Sequence, residues 1–413
     1  MKLSKRVMSL KPSSTLAVTS RAKELKRQGF DVLSFAAGEP DFDTPAVIRA
    51  AAADALSAGL TRYVQTQGEP GARDAIARKL REENGIDGIT ADHVIISAGG
   101  KMCLYLAYMS LIDANADHQA VILTPAWVSY RPQAELAGAL VVEVPASVEN
   151  NFKITPDQLR SVLNERTRVV TINSPSNPCG IMYSRDELHD LAEVIVEHNR
   201  TGGEIMVLSD EIYEHITFGE ESFTSFATCH EEISRYTITL NGLSKAYSMT
   251  GWRVGYAACP PTEQGEALVK AMCRLQAQMT TCISSFVYPA IPVALENAAP
   301  DVQEMRKAFA LRAALAHKLL CEIPGLVCPE PSGAFYLFPD ITAHFGKMSA
   351  GGTRIDSAVS FAEALLQEEK VAVVPGDDFG GCGPNHVRIS FACSEEQIRE
   401  GMARLKRFVE SLS

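Results

Sequence analysis

The sequence lacks the signatures of several common kinds of site. Its ten cysteines form no C-x-x-C pair, and none of its nine histidines belongs to an H-E-x-x-H motif. Neither a zinc site nor a dithiol redox motif is therefore predicted. No G-x-x-x-x-G-K-[ST] loop occurs, and no G-x-G-x-x-G follows a predicted strand. These absences argue against a P-loop nucleotide site and against a nicotinamide dehydrogenase.

The chain also lacks an excess of positive charge and any long apolar run. Its 50 acidic and 39 basic residues give a net charge of −11, so neither nucleic acid nor an anionic membrane is a predicted partner. The first 18 residues are charged and contain no apolar signal-peptide core, and no segment is long enough to span a bilayer. Together with the free thiols, these features predict a cytoplasmic protein.

What the sequence does contain is a regular alternation of strand and helix patterns. A length of 413 residues predicts a large core and about two domains. Short apolar runs alternate with helical patterns, which is typical of an α/β fold with a mostly parallel sheet flanked by helices. Helix starts are marked by Thr155 before Pro156 and by a capping box at Ser184. The predicted strands are 94–97, 120–123, 141–144, 169–172, 206–209, 237–240 and 254–257.

The clearest chemical signal lies in residues 237–256, TITLNGLSKAYSMTGWRVGY. A strand ends at Asn241-Gly242, and Lys245 follows at the carboxyl edge of the sheet, where open α/β folds bind ligands. Burial there would lower the pKa of Lys245 and leave a neutral amine, which a Schiff base requires. Arg253 stands between two glycines and presents a planar set of donors that suits a phosphate. An isolated Ser-Lys would be an ordinary loop lysine, but the arginine eight residues later favours a ligand site.

Two further strand ends carry groups that suit a phosphorylated aromatic ligand. Gly99 and Gly100, followed by Lys101, open a predicted helix, and backbone N–H groups at such a start can hold an anion. Alone this signal is weak. Trp127 follows the next strand, where it could stack on a planar ring or simply belong to the core.

Polar side chains follow the next two strands. Asn177, before Pro178, is either a turn residue or a ligand-binding amide. Asp210 ends a buried strand and needs a partner, which a protonated ring nitrogen or a helix N-terminus would supply. Tyr213, three residues later, can point the same way. The carboxyl ends of parallel strands share one sheet edge, so these groups are expected to lie together.

On these motifs the chain resembles the class I/II pyridoxal-phosphate-dependent aminotransferases of fold type I. The segment NGLSKAYSMTGWRVGYA is similar to the bacterial aspartate aminotransferase branch, which includes aspartate/prephenate enzymes, and the resemblance covers nearly the whole chain. It implies a large cofactor-binding domain at 46–300 and a smaller α/β domain at 301–413. Residues 1–45 would form an N-terminal arm and part of the small domain.

The resemblance also assigns roles around pyridoxal phosphate. It implies that Lys245 binds the cofactor covalently and moves the proton from the substrate Cα, that Asp210 holds the ring nitrogen, and that Arg253 binds the phosphate. Some relatives carry a phosphate-binding serine where this chain has Gly242, and Ser244 is the alternative here. The implied cofactor contacts are Gly99, Gly100, Lys101, Trp127, Asn177, Asp210, Tyr213, Ser244, Lys245, Arg253 and, from a second chain, Tyr63.

Substrate contacts follow from the same resemblance. Arg388, in HVRISFAC, is from the residues alone either a solvated edge residue or a buried carboxylate clamp, and the resemblance favours the clamp. Gly38 is either a plain turn glycine or a backbone donor to the substrate carboxylate. Lys101 is the implied reader of a distal carboxylate, and Lys11 is a further cation suited to prephenate. The implied substrate contacts are Gly38, Trp127, Asn177, Arg388, Lys101, Ser13 and Thr15, of which Ser13 and Thr15 could equally be helix-capping residues.

The resemblance therefore implies a homodimeric enzyme with shared active sites. It would move the amino group of L-aspartate to 2-oxoglutarate in two half-reactions, giving oxaloacetate and L-glutamate. Alternatives are an aminotransferase with another main substrate, such as prephenate or an aromatic amino acid, and a pyridoxal-phosphate β-lyase. A catalytically silent binding module is disfavoured by the acidic charge. No metal is implied.

Overall fold

The computed structural model of the chain describes residues 1–10 and 14–413, and the side chains of residues 14–16 lie outside the described part. The strands are β1 Leu33–Ser34, β2 Val94–Ala98, β3 Gln119–Thr124, β4 Leu140–Pro145, β5 Thr167–Asn173, β6 Met206–Asp210, β7 Thr237–Gly242, β8 Val254–Ala258, β9 Tyr336–Leu337, β10 Val371–Ala372, β11 Val374–Pro375 and β12 Val387–Ser390.

The α-helices of the described residues complete the element order. They are α1 Lys5–Met8, α2 Ser14–Arg27, α3 Ala46–Ser57, α4 Pro70–Glu82, α5 Gly100–Leu111, α6 Tyr130–Ala137, α7 Pro156–Val162, α8 Arg185–Arg200, α9 Glu263–Ala277, α10 Ala290–Asn297, α11 Ala299–Cys321, α12 Ala358–Glu369 and α13 Glu395–Ser411. No helix in this part of the chain is long and apolar enough to cross a membrane.

A seven-stranded sheet organises the molecule, in the order β2-β8-β7-β6-β5-β3-β4. All of its neighbours pair in parallel except β8, which is antiparallel to both β2 and β7. Each of the seven predicted strands lies within an observed one, so the prediction of a mostly parallel sheet is confirmed. The carboxyl ends of β2, β3, β5, β6 and β7 meet at one edge, as their common direction requires.

Helices cover both faces of this sheet, which explains why its strands are apolar on both sides. Successive residues of β5 point to opposite faces: Val169 packs in one core cluster with Leu104 of α5, and Val170 packs in another with Leu191 of α8. The predicted helix starts are also confirmed. Thr155 and Ser184 each accept a hydrogen bond from the backbone N–H three residues later, in a capping box.

A second core is built by the C-terminal part of the chain. Residues of α11, α12 and α13 pack there around the short strands β9 and β12. Strand β9 is confined to Tyr336–Leu337, because Pro331 and Pro339 lie on either side of it and proline cannot donate to a ladder. β1 pairs in parallel with β10 and brings the N-terminal segment to this core. The division at residues 45 and 300 stays a prediction.

Candidate active site

Lys245 occupies a turn just beyond the end of β7. Its Nζ donates a hydrogen bond to the carbonyl oxygen of Gly38 and lies 5.9 Å from the ring centroid of Tyr213. Burial, together with the guanidinium of Arg388, lowers the pKa of Lys245 to about 8. The neutral amine expected from the sequence is therefore accessible near neutral pH.

Asp210 lies at the end of β6, on the same edge of the sheet. Its Oδ2 accepts a hydrogen bond of 2.6 Å from the hydroxyl of Tyr130, and its Oδ1 accepts one of 3.3 Å from the backbone N–H of Ile212. A turn rather than a helix follows Asp210, so Asp210 does not cap a helix N-terminus. Burial raises the pKa of Asp210, while the Tyr130 hydrogen bond and the nearby Lys245 oppose that rise.

Arg388 is the most deeply buried cation at this edge, with 3 % of its surface exposed. Its Nη1 donates to Asn177 Oδ1 and its Nη2 donates to the Ala36 carbonyl, both at 3.0 Å. The guanidinium lies 4.7 Å from the ring centroid of Tyr336 and 5.3 Å from that of Phe379. The solvated-edge alternative is therefore wrong. Its hydrogen bonds within the described residues go to amide oxygens rather than to a carboxylate, which leaves its charge unpaired.

Glycines bring Arg253 close to the start of α5. Because Ala98 pairs with Val254 across the antiparallel strands, Arg253 lies beside the Gly99 backbone. A Cβ added to Gly99 would come within 2.6 Å of Arg253 Nη2, and the φ of +84° at Gly99 also favours glycine. Arg253 Nη1 donates to the Thr250 carbonyl at 2.7 Å. The result is a backbone cradle at a helix N-terminus with a guanidinium beside it.

The structure also accounts for Gly242. A Cβ at this position would lie 2.6 Å from the Val254 carbonyl oxygen and 3.0 Å from the Gly255 Cα. A serine does not fit here without a backbone shift. Ser244, two residues later, is buried.

Trp127 and Lys101 lie against each other. The Lys101 Nζ stands 4.8 Å from the centroid of the Trp127 ring, a cation–π contact. Trp127 also meets Tyr130 edge to face, with the ring centroids 5.4 Å apart. Desolvation and the neighbouring Arg253 charge lower the pKa of Lys101. Lys101 thus belongs to the same cluster of cations as Arg253.

Comparison with known proteins agrees with this geometry. The family described as "Aminotransferase class I and II" matches residues 31–405. The chain is 42% identical to an aspartate aminotransferase of Bacillus subtilis over 413 residues, with 100% of both chains covered. It is 43% identical to an aspartate/prephenate aminotransferase of Cereibacter sphaeroides, covering 100% of this chain and 99% of the relative.

The chain belongs to the class I and II aminotransferases. A solved aspartate aminotransferase of Rhizobium meliloti superposes with a TM-score of 0.93 at 36% identity, with 100% of both chains covered. The aspartate aminotransferase of Thermus thermophilus solved with maleate gives 0.89 at 37% identity, covering 99% of this chain and 100% of that one. The fold is thus fold type I, and this aminotransferase depends on pyridoxal phosphate.

Some predicted site residues of the aminotransferase are not brought into this cluster. Tyr63 lies on the loop after α3 with 88 % of its surface exposed, and its contact with the cofactor of a second chain stays a prediction. Lys11, Ser13 and the side chain of Thr15 lie outside the described residues. Gly38 does reach the site, since its carbonyl accepts from Lys245. A Cβ on Gly38 would meet the Tyr336 hydroxyl at 3.0 Å.

Sequence reasoning missed two tyrosines of this site. Tyr130, which holds Asp210, opens the short helix after Trp127. Tyr336 exchanges a hydrogen bond of 2.9 Å with the Tyr213 hydroxyl. A tyrosine is as often a core residue as a functional one. For Tyr130 the only available signal was position, because it shortly follows the end of a strand.

Proposed function

We propose that this enzyme transfers the amino group of L-aspartate to 2-oxoglutarate. One observation carries the proposal: Arg388 is a buried guanidinium that has no carboxylate partner among the described residues, and its charge lowers the pKa of Lys245. A buried unpaired charge is costly, and the α-carboxylate of an amino acid would relieve that cost. Lys101 adds a cation suited to a second carboxylate. The relatives' names support this choice, and the Thermus relative is described with maleate, a dicarboxylate.

The residues present fit pyridoxal phosphate. The cradle at Gly99 and the Arg253 guanidinium suit its phosphate, and the Asp210 carboxylate suits a protonated ring nitrogen. Asn177 and Tyr213 present polar groups suited to its phenolic oxygen, and Trp127 presents a ring for stacking. When bound, the cofactor supplies an electron sink for the carbanion left when the substrate Cα loses its proton.

The protein supplies positioning and proton transfer. Arg388 binds the substrate α-carboxylate and orients the Cα toward Lys245. The lowered pKa of Lys245 lets its neutral amine take the Cα proton near neutral pH and return it later. Asp210 would hold the proton on the cofactor's ring nitrogen, and the Tyr130 hydroxyl keeps that carboxylate in place. In the second half-reaction, Arg388 would bind the carboxylate of the incoming oxo acid and Lys245 would return a proton to its Cα.

We further propose that the enzyme works as a homodimer in which Tyr63 serves the neighbouring site. The support is the 88 % exposure of Tyr63. Other exposed apolar side chains occur on the nearby segments, among them Val47, Leu56 and Leu60. A second chain packed on this surface would cover them.

The proposed function is tested by absorbance. L-Aspartate is added to the purified holoenzyme without an oxo acid, and the spectrum and the product are followed. We expect the band of the lysine-bound cofactor to convert to that of the aminated cofactor, with oxaloacetate formed. A Lys245→Ala variant should show neither band conversion nor turnover. A band that L-aspartate leaves unchanged, or a cofactor that stays in its lysine-bound form while L-aspartate is consumed, would overturn the proposal.

Prephenate is a second candidate amino acceptor. The relative from Cereibacter sphaeroides is named an aspartate/prephenate aminotransferase and covers the full chain at 43% identity. Prephenate carries a ring carboxylate in addition to its oxo acid, so it too presents two anionic ends. Comparing kcat/KM for prephenate and for 2-oxoglutarate, with L-glutamate or L-aspartate as donor, decides between the two acceptors.

A further inference from the structure

A buried ion cluster lies behind the lysine turn. Lys79 of α4 forms an ion pair with Glu214 and donates a hydrogen bond of 2.7 Å to Asn84 Oδ1. Asn84 Nδ2 donates to Glu214 Oε2 at 2.7 Å, and Asn241 Nδ2 donates to Glu214 Oε1 at the same distance. All four residues are at most 9 % exposed. We call them the Glu214 cluster.

The Glu214 cluster is satisfied as a unit. Both carboxylate oxygens of Glu214 accept hydrogen bonds, and the Lys79 ammonium has two partners. Burial is the largest single effect and opposes ionisation of Glu214, but the charges of Lys79 and His215 and the hydrogen bonds from Lys79 and Asn84 together outweigh it and lower the pKa of Glu214 to about 2. Removing one partner from such a pair strands the other charge in the interior, which is strongly unfavourable. The Glu214 carboxylate is therefore a fixed point of the structure.

Asn241 connects this fixed point to the catalytic turn. Its Oδ1 accepts a hydrogen bond of 2.7 Å from the backbone N–H of Gly242, three residues before Lys245. Glu214 itself directly follows Tyr213, and its N–H donates to the Glu211 carbonyl at 3.0 Å. The cluster thus joins the segment of Asp210 and Tyr213 to the turn of Lys245 through side chains as well as through the sheet.

We propose that Asn241, anchored by Glu214, is a positioning residue that fixes the amine of Lys245 relative to the Asp210 segment. The inference rests on the proposed function, because it takes Lys245 as the residue that carries the cofactor. Displacing a reacting group by about 1 Å can lower a rate by about 100-fold. A residue with a purely structural role would lower stability and leave the chemistry of the assembled site unchanged.

Two asparagines of the cluster make a matched pair for the test. Asn241 and Asn84 each donate one hydrogen bond of 2.7 Å to Glu214, but only Asn241 contacts the lysine turn. In the holoenzyme, we expect Asn241→Ala to lower kcat about 10- to 100-fold with KM for L-aspartate nearly constant. The visible circular dichroism of the lysine-bound cofactor should change as well. Asn84→Ala should lower the thermal midpoint with kcat and the dichroism nearly unchanged.

A second pair of variants carries the test if Asn241→Ala does not fold. Asn241→Asp keeps an acceptor for the Gly242 N–H but sets a carboxylate against Glu214, so kcat should fall. Adding Glu214→Gln replaces this repulsion by an amide that can donate to the new carboxylate. The double variant should therefore have a higher kcat than Asn241→Asp alone.

Separate results overturn the two proposals. Equal kcat and equal dichroism for Asn241→Ala, Asn84→Ala and wild type would overturn the positioning role alone. A double variant whose kcat is no higher than that of Asn241→Asp would also overturn the positioning role. A wild-type protein without the absorbance band of a lysine-bound cofactor would overturn the proposed function, and the positioning role with it.

Discussion

At the scale of single residues, Arg388 is the group whose environment most requires a ligand. Its guanidinium is buried, lies close to the rings of Tyr336 and Phe379, and donates to amide oxygens. Lysine would keep the charge but lose the planar fork that can hold a carboxylate with two parallel hydrogen bonds. The side chain is thus suited to a flat, doubly accepting anion rather than to a point charge.

Arg388→Lys should lower kcat/KM for L-aspartate by about 10- to 100-fold, because a charge-assisted hydrogen bond contributes about 1.5–3 kcal/mol. The cofactor's absorbance should remain. Steady-state kinetics measure the change. Arg407→Lys, at an exposed arginine paired with Glu369 at 2.9 Å, serves as the control and should leave kcat/KM unchanged. Equal values for both variants would contradict the assignment of Arg388.

The pKa of Lys245 predicts a pH dependence for cofactor attachment. Burial and Arg388 lower this pKa to about 8. Because only the neutral amine attacks an aldehyde, attachment to the apoenzyme should be slow below pH 8 and should accelerate as the pH rises through about 8. Stopped-flow absorbance after mixing the apoenzyme with pyridoxal phosphate measures the rate. If the midpoint of this pH dependence lay near the pKa of an ordinary exposed lysine, the site would not lower the pKa of Lys245.

At the scale of elements, β7 and β8 approach each other so closely at Gly242 that there is no room for a side chain. We expect Gly242→Ser to destabilise the apoenzyme by about 1–3 kcal/mol, because the added Cβ would collide with the Val254 carbonyl and overpacking of this kind costs about that much. Gly251→Ser is the matched control, since nothing lies within 4 Å of a Cβ there. Urea denaturation of both apo variants compares them, and equal midpoints would contradict the expectation.

The strands were predictable from sequence because each is a short, largely apolar run that is followed within three residues by a polar residue, glycine or proline. Asp210, Asn177 and Lys245 were placed at the correct edge for the same reason: parallel strands share one direction. The antiparallel course of β8 was not predicted, since an apolar run carries no sign of its direction. That course is what brings Arg253 beside Gly99.

Contacts between distant segments were beyond the reach of the sequence. Tyr130 and Asp210 are 80 residues apart, and Lys79 and Glu214 are 135 apart. A lysine on an amphipathic helix is ordinarily solvated, and nothing in the pattern around Lys79 marks it as buried. Such pairs are specified by tertiary packing. They became visible only when the elements were assembled.

At the scale of the whole molecule, the exposure of Tyr63 predicts that a complete site needs two chains. Mixing Lys245→Ala subunits with Tyr63→Ala subunits tests this. In a hybrid dimer, one site combines an intact Lys245 with the partner's intact Tyr63. After unfolding and refolding a 1:1 mixture, about a quarter of the wild-type activity should return, because about half of the dimers are hybrids with one complete site each.

Activity of the mixture that equals the mean of the two separate variants would show that each site is made by one chain. The control is a mixture in which one partner carries both substitutions and the other is wild type. Its hybrids contain no complete site, because the intact Lys245 faces a substituted Tyr63. If sites are shared, the wild-type homodimers, about a quarter of the dimers, should alone supply about a quarter of the wild-type activity; if each site is made by one chain, the same mixture should give about a half. Comparing the two mixtures at the same total protein concentration removes any effect of refolding yield.

The connection between β7 and β8 carries both Lys245 and Arg253, the proposed attachment points for the two ends of one ligand. The spacing between amine and guanidinium is therefore set within a single hairpin, whose connecting residues Leu243, Ala246 and Met249 are anchored in a core cluster. The length of this hairpin sets the distance between the two groups that would hold the cofactor. Lengthening or shortening it by one residue would change that distance and spoil the fit at one end of the ligand.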